Sequence, residues 1–124
     1  MSIINSKDKK PDWKLIEMKG IIYYCEKGFS ILFKITDHYG YDFVIEKNGD
    51  FKRVNVKVAY LKTDKKNVWA ISAPGSKDWL EKKYSEVLDI YLVWLPHKGK
   101  FIELDGTFLD GLRSKVRSIP PHMK

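Results

Sequence analysis

Two spacings of apolar residues alternate along this chain. In PDWKLIEMKGIIYYCEK, residues 11–27, Leu15, Met18, Ile22 and Cys25 recur at steps of three and four, which predicts a helix with one apolar face. Asp12 stands where an N-cap belongs and Gly28 where a helix stops. Gly20 sits inside that helix and weakens it by about 1 kcal/mol relative to alanine. The pattern then becomes short, β-branched and aromatic. FSILFKI and YDFVIE read as strands, and Asn48-Gly49 in KNGD is a tight hairpin signal leading into a longer strand, FKRVNVKVAYL. NVWAIS is a fourth strand, APGSKD a loop, and DWLEKKYSEVL a short helix or helical turn. IYLVWL and FIEL are two more strands joined through PHKGK. In the last stretch, DGTFLDGLRSKVRSIPPHMK, the pattern places one helical turn around FLDGLRSK and then a basic, proline-ended tail.

This order predicts an α/β domain with one central mixed β-sheet and the first helix packed on it. With 124 residues the chain is expected to be a single domain over 1–124, with a flexible N-terminus at 1–10 and a basic C-terminal segment at 106–124.

Strand side chains alternate between faces. On RVNVKVAY, Val54, Val56, Val58 and Tyr60 point one way and Arg53, Asn55, Lys57 and Ala59 the other. On YDFVIE, Asp42, Val44 and Glu46 oppose Tyr41, Phe43 and Ile45. The hairpin through Asn48-Gly49 makes these strands antiparallel neighbours. Asp42, Asn55 and Lys57 then gather on the face away from the helix, at the end away from the turn. One carboxylate, one amide oxygen and one ammonium suit phosphodiester hydrolysis. Oxygen ligands hold a hard cation such as Mg²⁺, with Mn²⁺ as a substitute, and a lysine beside them stabilises the charge of the transition state. The plain alternative is that Asp42 starts a strand after a turn and that Asn55 and Lys57 are solvated strand residues.

Composition narrows the classes. Apolar residues make up 44% of the chain, which is enough for one core, and no apolar run is long enough to span a bilayer. No leader pattern opens the sequence, so a cytoplasmic protein with no membrane partner is expected. The lone Cys25 forms no internal disulfide and is expected as a buried filler; His38, His97 and His122 show no metal-ligand spacing. A net charge of +7 favours a polyanion such as DNA. Arg53, Lys62, Lys65, Lys66, Arg113, Lys115 and Arg117 are the candidate phosphate contacts, against the alternative of an ordinary solvated basic surface.

YDFVIEKNGDFKRVNVKVAYLK, together with the helix, EKGFSILF and the later DIYLVWLPHKGKFIEL, resembles the PD-(D/E)XK nucleases of restriction-endonuclease-like fold. The resemblance is greatest to the small branch that includes the cyanobacterial intron-encoded homing endonuclease, and covers most of residues 12–105. It implies a core of αβββ-αβ order with a central mixed sheet flanked by helices. It also implies a Mg²⁺-dependent DNA endonuclease of the homing or mobile-element type. Carried over position by position, Asp42 is the metal-binding aspartate and Lys57 the catalytic lysine. Glu17 is the helix glutamate that ligates metal or orients water, and the Val56 carbonyl completes part of the shell. Asn55 takes the second ligand position, where the family has Glu or Gln, and Val58 stands where Thr or Ser is frequent. The neutral Asn55 keeps open a catalytically silent DNA-binding module on the nuclease scaffold. Structure-specific, junction-resolving cleavage and an unrelated basic interaction protein are further readings. A chain this short implies a homo-oligomer, dimer or tetramer, if it is to read a long site.

Overall fold

The computed structural model describes residues 12–35, 40–62, 68–72, 83–111 and 116–120. Helix α1 spans Trp13–Glu26, and Asp12 caps it by accepting the Leu15 amide at 3.2 Å. Among the described residues eight strands follow: β1 (Ser30–Phe33), β2 (Phe43–Lys47), β3 (Asp50–Val58), β4 (Tyr60–Leu61), β5 (Trp69–Ser72), β6 (Ile90–Leu95), β7 (Lys100–Asp105) and β8 (Val116–Ser118). A 3-10 turn at Tyr84–Glu86 precedes β6. It is the described end of the expected DWLEKKYSEVL helix, whose earlier residues lie outside the described ones.

The central sheet has the order β1-β2-β3-β6-β7. Only the β3–β6 pair is parallel; the other three are antiparallel. This is the mixed central sheet with a leading helix that the order of elements predicts. Asn48 (φ 55°) and Gly49 (φ 81°) turn β2 into β3 as the Asn-Gly pair predicts.

Three expectations are corrected. First, α1 buries the stripe Ile16, Gly20 and Tyr24, while Leu15, Met18 and Ile22 are exposed, as is Cys25, so the cysteine is not a buried filler. Both stripes are apolar, so spacing alone did not distinguish them. Gly20 decides between them: a Cβ added there would sit 3.0 Å from Leu92 Cδ2, so only this side lets the helix approach the sheet closely. Tyr24 is then fully buried, edge-on to Phe29 and Phe43. Second, FKRVNVKVAYL is not one strand. It breaks at Ala59, whose amide donates to Trp94 O, and Tyr60–Leu61 joins a separate sheet of order β4-β5-β8. Third, part of the C-terminal tail is strand: Val116–Ser118 pairs antiparallel with β5.

The two faces of the central sheet carry separate cores. Beneath α1 lie Phe43, Ile45, Val54, Val56, Val58 and Leu92. On the opposite face Tyr91, Val93, Leu95 and Leu104 pack with Ile71 and Ile119 of the second-sheet region and with Tyr84 and Leu88. Among the described residues that face is closed by a small sheet and a 3-10 turn, in addition to the expected central sheet with α1 packed on it.

The parallel register sets Val54 beside Ile90, which brings Arg53 to Asp89 at the head of β6. Asp89 Oδ2 accepts from the Arg53 main-chain amide at 2.7 Å and from its Nε at 3.0 Å, and Oδ1 accepts from Nη2 at 3.1 Å. Arg53 Nη1 also donates to Glu86 O at 2.8 Å. The guanidinium holds the Asp89 carboxyl below the usual aspartate range. Removing Asp89 strands an amide and a guanidinium together, so Asp89→Ala is expected to cost about 2–3 kcal/mol in chemical denaturation near neutral pH. Because the folded pKa is depressed, this stabilisation is complete above the unfolded aspartate value of about 4. It disappears as pH falls through the folded value, so the mutant and parent midpoints should converge in acid.

Candidate active site

The β2–β3 ladder ends with Phe43 opposite Val54, but β3 runs on to Val58. Beyond the first residue of β2, the edge of β3 is open on that side. Asp42 fills the opening. Its amide donates to Val54 O at 2.7 Å, and its Oδ2 accepts the Val56 amide at 2.7 Å. A side chain thus takes the place of the missing strand neighbour. In a strand the N–H and C=O of one residue point to the same edge, so the Val56 carbonyl also faces this opening.

Asn55 is the only buried polar or charged residue among the described ones. Its Nδ2 donates to Gly40 O at 3.0 Å, while its Oδ1 is buried without a partner. A buried acceptor without a donor is costly, and such an atom calls for an explanation. Gly40 is held there by conformation and space: φ is 110°, and an added Cβ would lie 2.6 Å from Val87 Cγ2. No residue with a side chain fits that position, so the carbonyl that orients Asn55 is set by a glycine.

Lys57 follows two residues along β3. Burial pushes its ammonium down to about 8, and the Asp42 carboxylate partly offsets this. Asp42 itself is pushed above the ordinary aspartate range by burial; the Val56 amide, Lys57 and Lys34 act in the opposite sense. Asp42 and Lys57 therefore share one electrostatic environment, as the alternation pattern predicted.

Lys34 was not singled out from the sequence. The β1–β2 register pairs Phe33 with Phe43, so continuing it by one residue sets Lys34 against Asp42. Lys34 Nζ donates to Tyr41 O and lies 4.7 Å from the centre of the Tyr41 ring. The signal was available in FSILFK and YDFVIE read as paired strands. It needed the β1–β2 pairing, which the order of elements does not supply.

Glu17 is half-buried at the margin of the α1 stripe that faces the sheet. Lys47 Nζ donates to Lys27 O at 2.9 Å, which fixes the C-terminus of α1 at the β2–β3 turn. α1, which carries Glu17, packs on the face of β3 that holds Val54, Val56 and Val58, opposite the face of Asn55 and Lys57. Arg53, expected at a phosphate, has its guanidinium ion-paired with Asp89 and donating to Glu86 O, and its side chain is about one-third exposed. Lys62, beside β4, and Arg117, on β8, both belong to the second-sheet region, and Arg117 donates to Phe108 O at 2.7 Å and stacks over that ring. Lys65, Lys66, Arg113 and Lys115 lie outside the described residues.

Among the described residues no three His, Cys, Asp or Glu side chains converge to hold a metal ion. A cation at Asp42 would rest on a mixed oxygen set: one carboxylate, the Asn55 amide oxygen and the Val56 carbonyl, with water completing the shell. The unpartnered Asn55 Oδ1 fits that use, because it is a hard acceptor with nothing else to satisfy it. No described helix is long and apolar enough to cross a membrane.

Comparison with known proteins matches residues 7–103 to the PD-(D/E)XK endonuclease family model. Among solved structures, the chain is similar to a bacterial homing endonuclease, I-Ssp6803I, with a TM-score of 0.64 at 14% identity. The match covers 94% of this chain and 76% of that one, and at this identity it speaks to the fold. No curated protein matches the chain.

Proposed function

This chain belongs to the PD-(D/E)XK endonuclease family, and from that premise we propose that it is a divalent-metal-dependent DNA endonuclease whose centre is Asp42, Asn55 and Lys57. The observation that carries the reading is the buried, unpartnered Asn55 Oδ1 in the same strand end as the Asp42 carboxylate. Mg²⁺, or Mn²⁺ in its place, would lower the pKa of an attacking water and neutralise charge on the scissile phosphate. Asp42, Asn55 Oδ1 and the Val56 carbonyl would hold it. Lys57, pressed against Asp42 in a poorly solvated site, stabilises negative charge developing on the phosphate oxygens. Glu17, on α1, is the residue assigned to bind or orient a water. Lys62 and Arg117, with Lys65, Lys66, Arg113 and Lys115 in the neighbouring segments, contact the DNA backbone without reading sequence. A homing or mobile-element role is the setting we favour, because the fold is shared with a homing endonuclease.

A second reading has its own observation. Asn55 brings no charge, and its amide is already tied to Gly40 O. A silent DNA-binding domain on this scaffold would bind DNA with steep salt dependence and never turn over.

Plasmid cleavage in Mg²⁺ or Mn²⁺ separates the two, and Asn55→Glu sharpens the test. Adding a carboxylate to a site with a single aspartate is expected to lower the metal concentration for half-maximal cleavage by about tenfold, the effect of roughly 1.4 kcal/mol. Cleavage by Asn55→Glu alone would establish the silent reading for the natural chain. Cleavage by neither protein would remove the enzymatic one.

A further inference from the structure

We propose that Tyr91 is a positioning residue for Asn55: its hydroxyl and Asn55 Oδ1 meet through one buried water, which holds the amide oxygen in place for a cation. Both atoms are buried, and neither has a hydrogen-bond partner in the protein. β3 and β6 run parallel with Asn55 in register with Tyr91. The two side chains therefore rise from neighbouring positions on one face of the sheet, on strands about 5 Å apart. Tyr91 is fully buried among apolar side chains, Leu88, Val93, Leu95 and Leu104. Phenylalanine would fill that place without taking a hydroxyl out of water. Two unsatisfied atoms at adjacent positions find one explanation when they serve each other.

The two groups are chemically complementary. A phenol is protonated at neutral pH and donates one hydrogen bond; an amide oxygen donates none and accepts two. Burial, and after it the charge of Asp110, holds the Tyr91 phenol protonated, so it stays a donor. Asp110 is the other acceptor near it, and each Asp110 oxygen already accepts from Ser85, one from the amide and one from the hydroxyl. A tyrosine hydroxyl stands farther from its strand than an asparagine oxygen does. One water spans that difference, as buried waters do between polar groups that lack partners. Asn55 Nδ2 is tied to Gly40 O at 3.0 Å, so the amide cannot turn over and exchange its oxygen for its nitrogen. The water takes one lone pair of Oδ1 and leaves the other for the cation. Outer partners of this kind fix the direction of a metal ligand, and losing one typically weakens metal binding by about 10–100-fold.

The positioning role rests on the reading of Asn55 as a metal ligand, and the test separates the two. Mn²⁺ is titrated without DNA into the whole parent chain, Tyr91→Phe and Asp42→Asn, and the rise of the thermal unfolding midpoint is followed. The rise that Asp42→Asn loses belongs to the proposed centre. For that rise Tyr91→Phe is expected to need about tenfold more Mn²⁺ than the parent, or above. An equal requirement overturns the role of Tyr91 and leaves Asn55 as a ligand. A parent with no such rise overturns the metal reading and the positioning role with it. The link between the two side chains has its own measurement, a double-mutant cycle in urea with no metal present. Tyr91→Phe is expected to lower the midpoint of the parent, and to leave unchanged or raise that of Asn55→Ala, where the acceptor is gone. Equal shifts in both backgrounds overturn the link.

Discussion

Lys57→Met is expected to make the protein more stable and stop it cutting. The ammonium that burial holds at about 8 would titrate near 10.5 in the unfolded chain. That gap corresponds to on the order of 3 kcal/mol of strain on the charged folded state at pH 7. Methionine keeps much of the volume without the charge, so thermal or urea unfolding should show a gain of roughly 1–3 kcal/mol. Because the folded pKa is depressed, the unfolded chain binds the extra proton between about 8 and the unfolded lysine value. Parent stability therefore rises with pH across that window, and the advantage of the variant shrinks over it. Cleavage should move the other way. Losing one preorganised group that meets transition-state charge costs about 10²–10³ in rate. Acting as a cation, Lys57 also requires that parent cleavage decline as pH climbs past about 8. A rate that instead grows through that pH would assign Lys57 to proton removal from water, and a variant that cuts normally would end the proposed centre.

Asp42→Asn carries the second large effect. An asparagine oxygen can still accept the Val56 amide that Asp42 Oδ2 takes at 2.7 Å, so the local backbone is kept while the charge is lost. Removing the carboxylate charge is expected to lower cleavage by at least about 10³-fold, because it deletes the one acidic ligand of the proposed centre. The stability effect has a definite sign. Burial raises the folded pKa of Asp42, so the folded state binds this proton more tightly than the unfolded one. Stability from this group is greatest in acid and falls as pH rises from the unfolded value through the folded value. At neutral pH, Asp42→Asn should thus match or exceed the parent in denaturant. Asp42→Ala leaves the Val56 amide without its acceptor and should lose about 1 kcal/mol instead. Equal stability for the two variants would show that the hydrogen bond is not what holds this end of β3.

Both variants trade stability against chemistry at the same place. A hydrophobic sheet would accept apolar residues at 42, 55 and 57 more readily than an unpartnered amide, a strained lysine and a raised carboxyl. Groups kept at such a cost are what motivates the proposed centre. Arg53 shows the converse. Its guanidinium has a matching carboxylate in Asp89.

Period-2 alternation and the Asn48-Gly49 turn were enough to place Asp42, Asn55 and Lys57 at one end of a hairpin, because those features act over a few residues. The N-cap at Asp12, the helix that follows and the strands of the central sheet were legible for the same reason. Other outcomes depended on partners far along the chain. The choice between two apolar stripes on α1 turned on how closely Gly20 lets the helix approach Leu92, a residue 72 positions away. Arg53 gained an ion pair with Asp89, which only the parallel β3–β6 register sets beside it. Lys34 met Asp42, Ala59 ended a strand, and Val116–Ser118 became one because β1, β5 and β8 found neighbours that no local pattern names. Local backbone geometry is encoded residue by residue; burial, register and the perturbed charges of the site arise only when distant surfaces exclude water together.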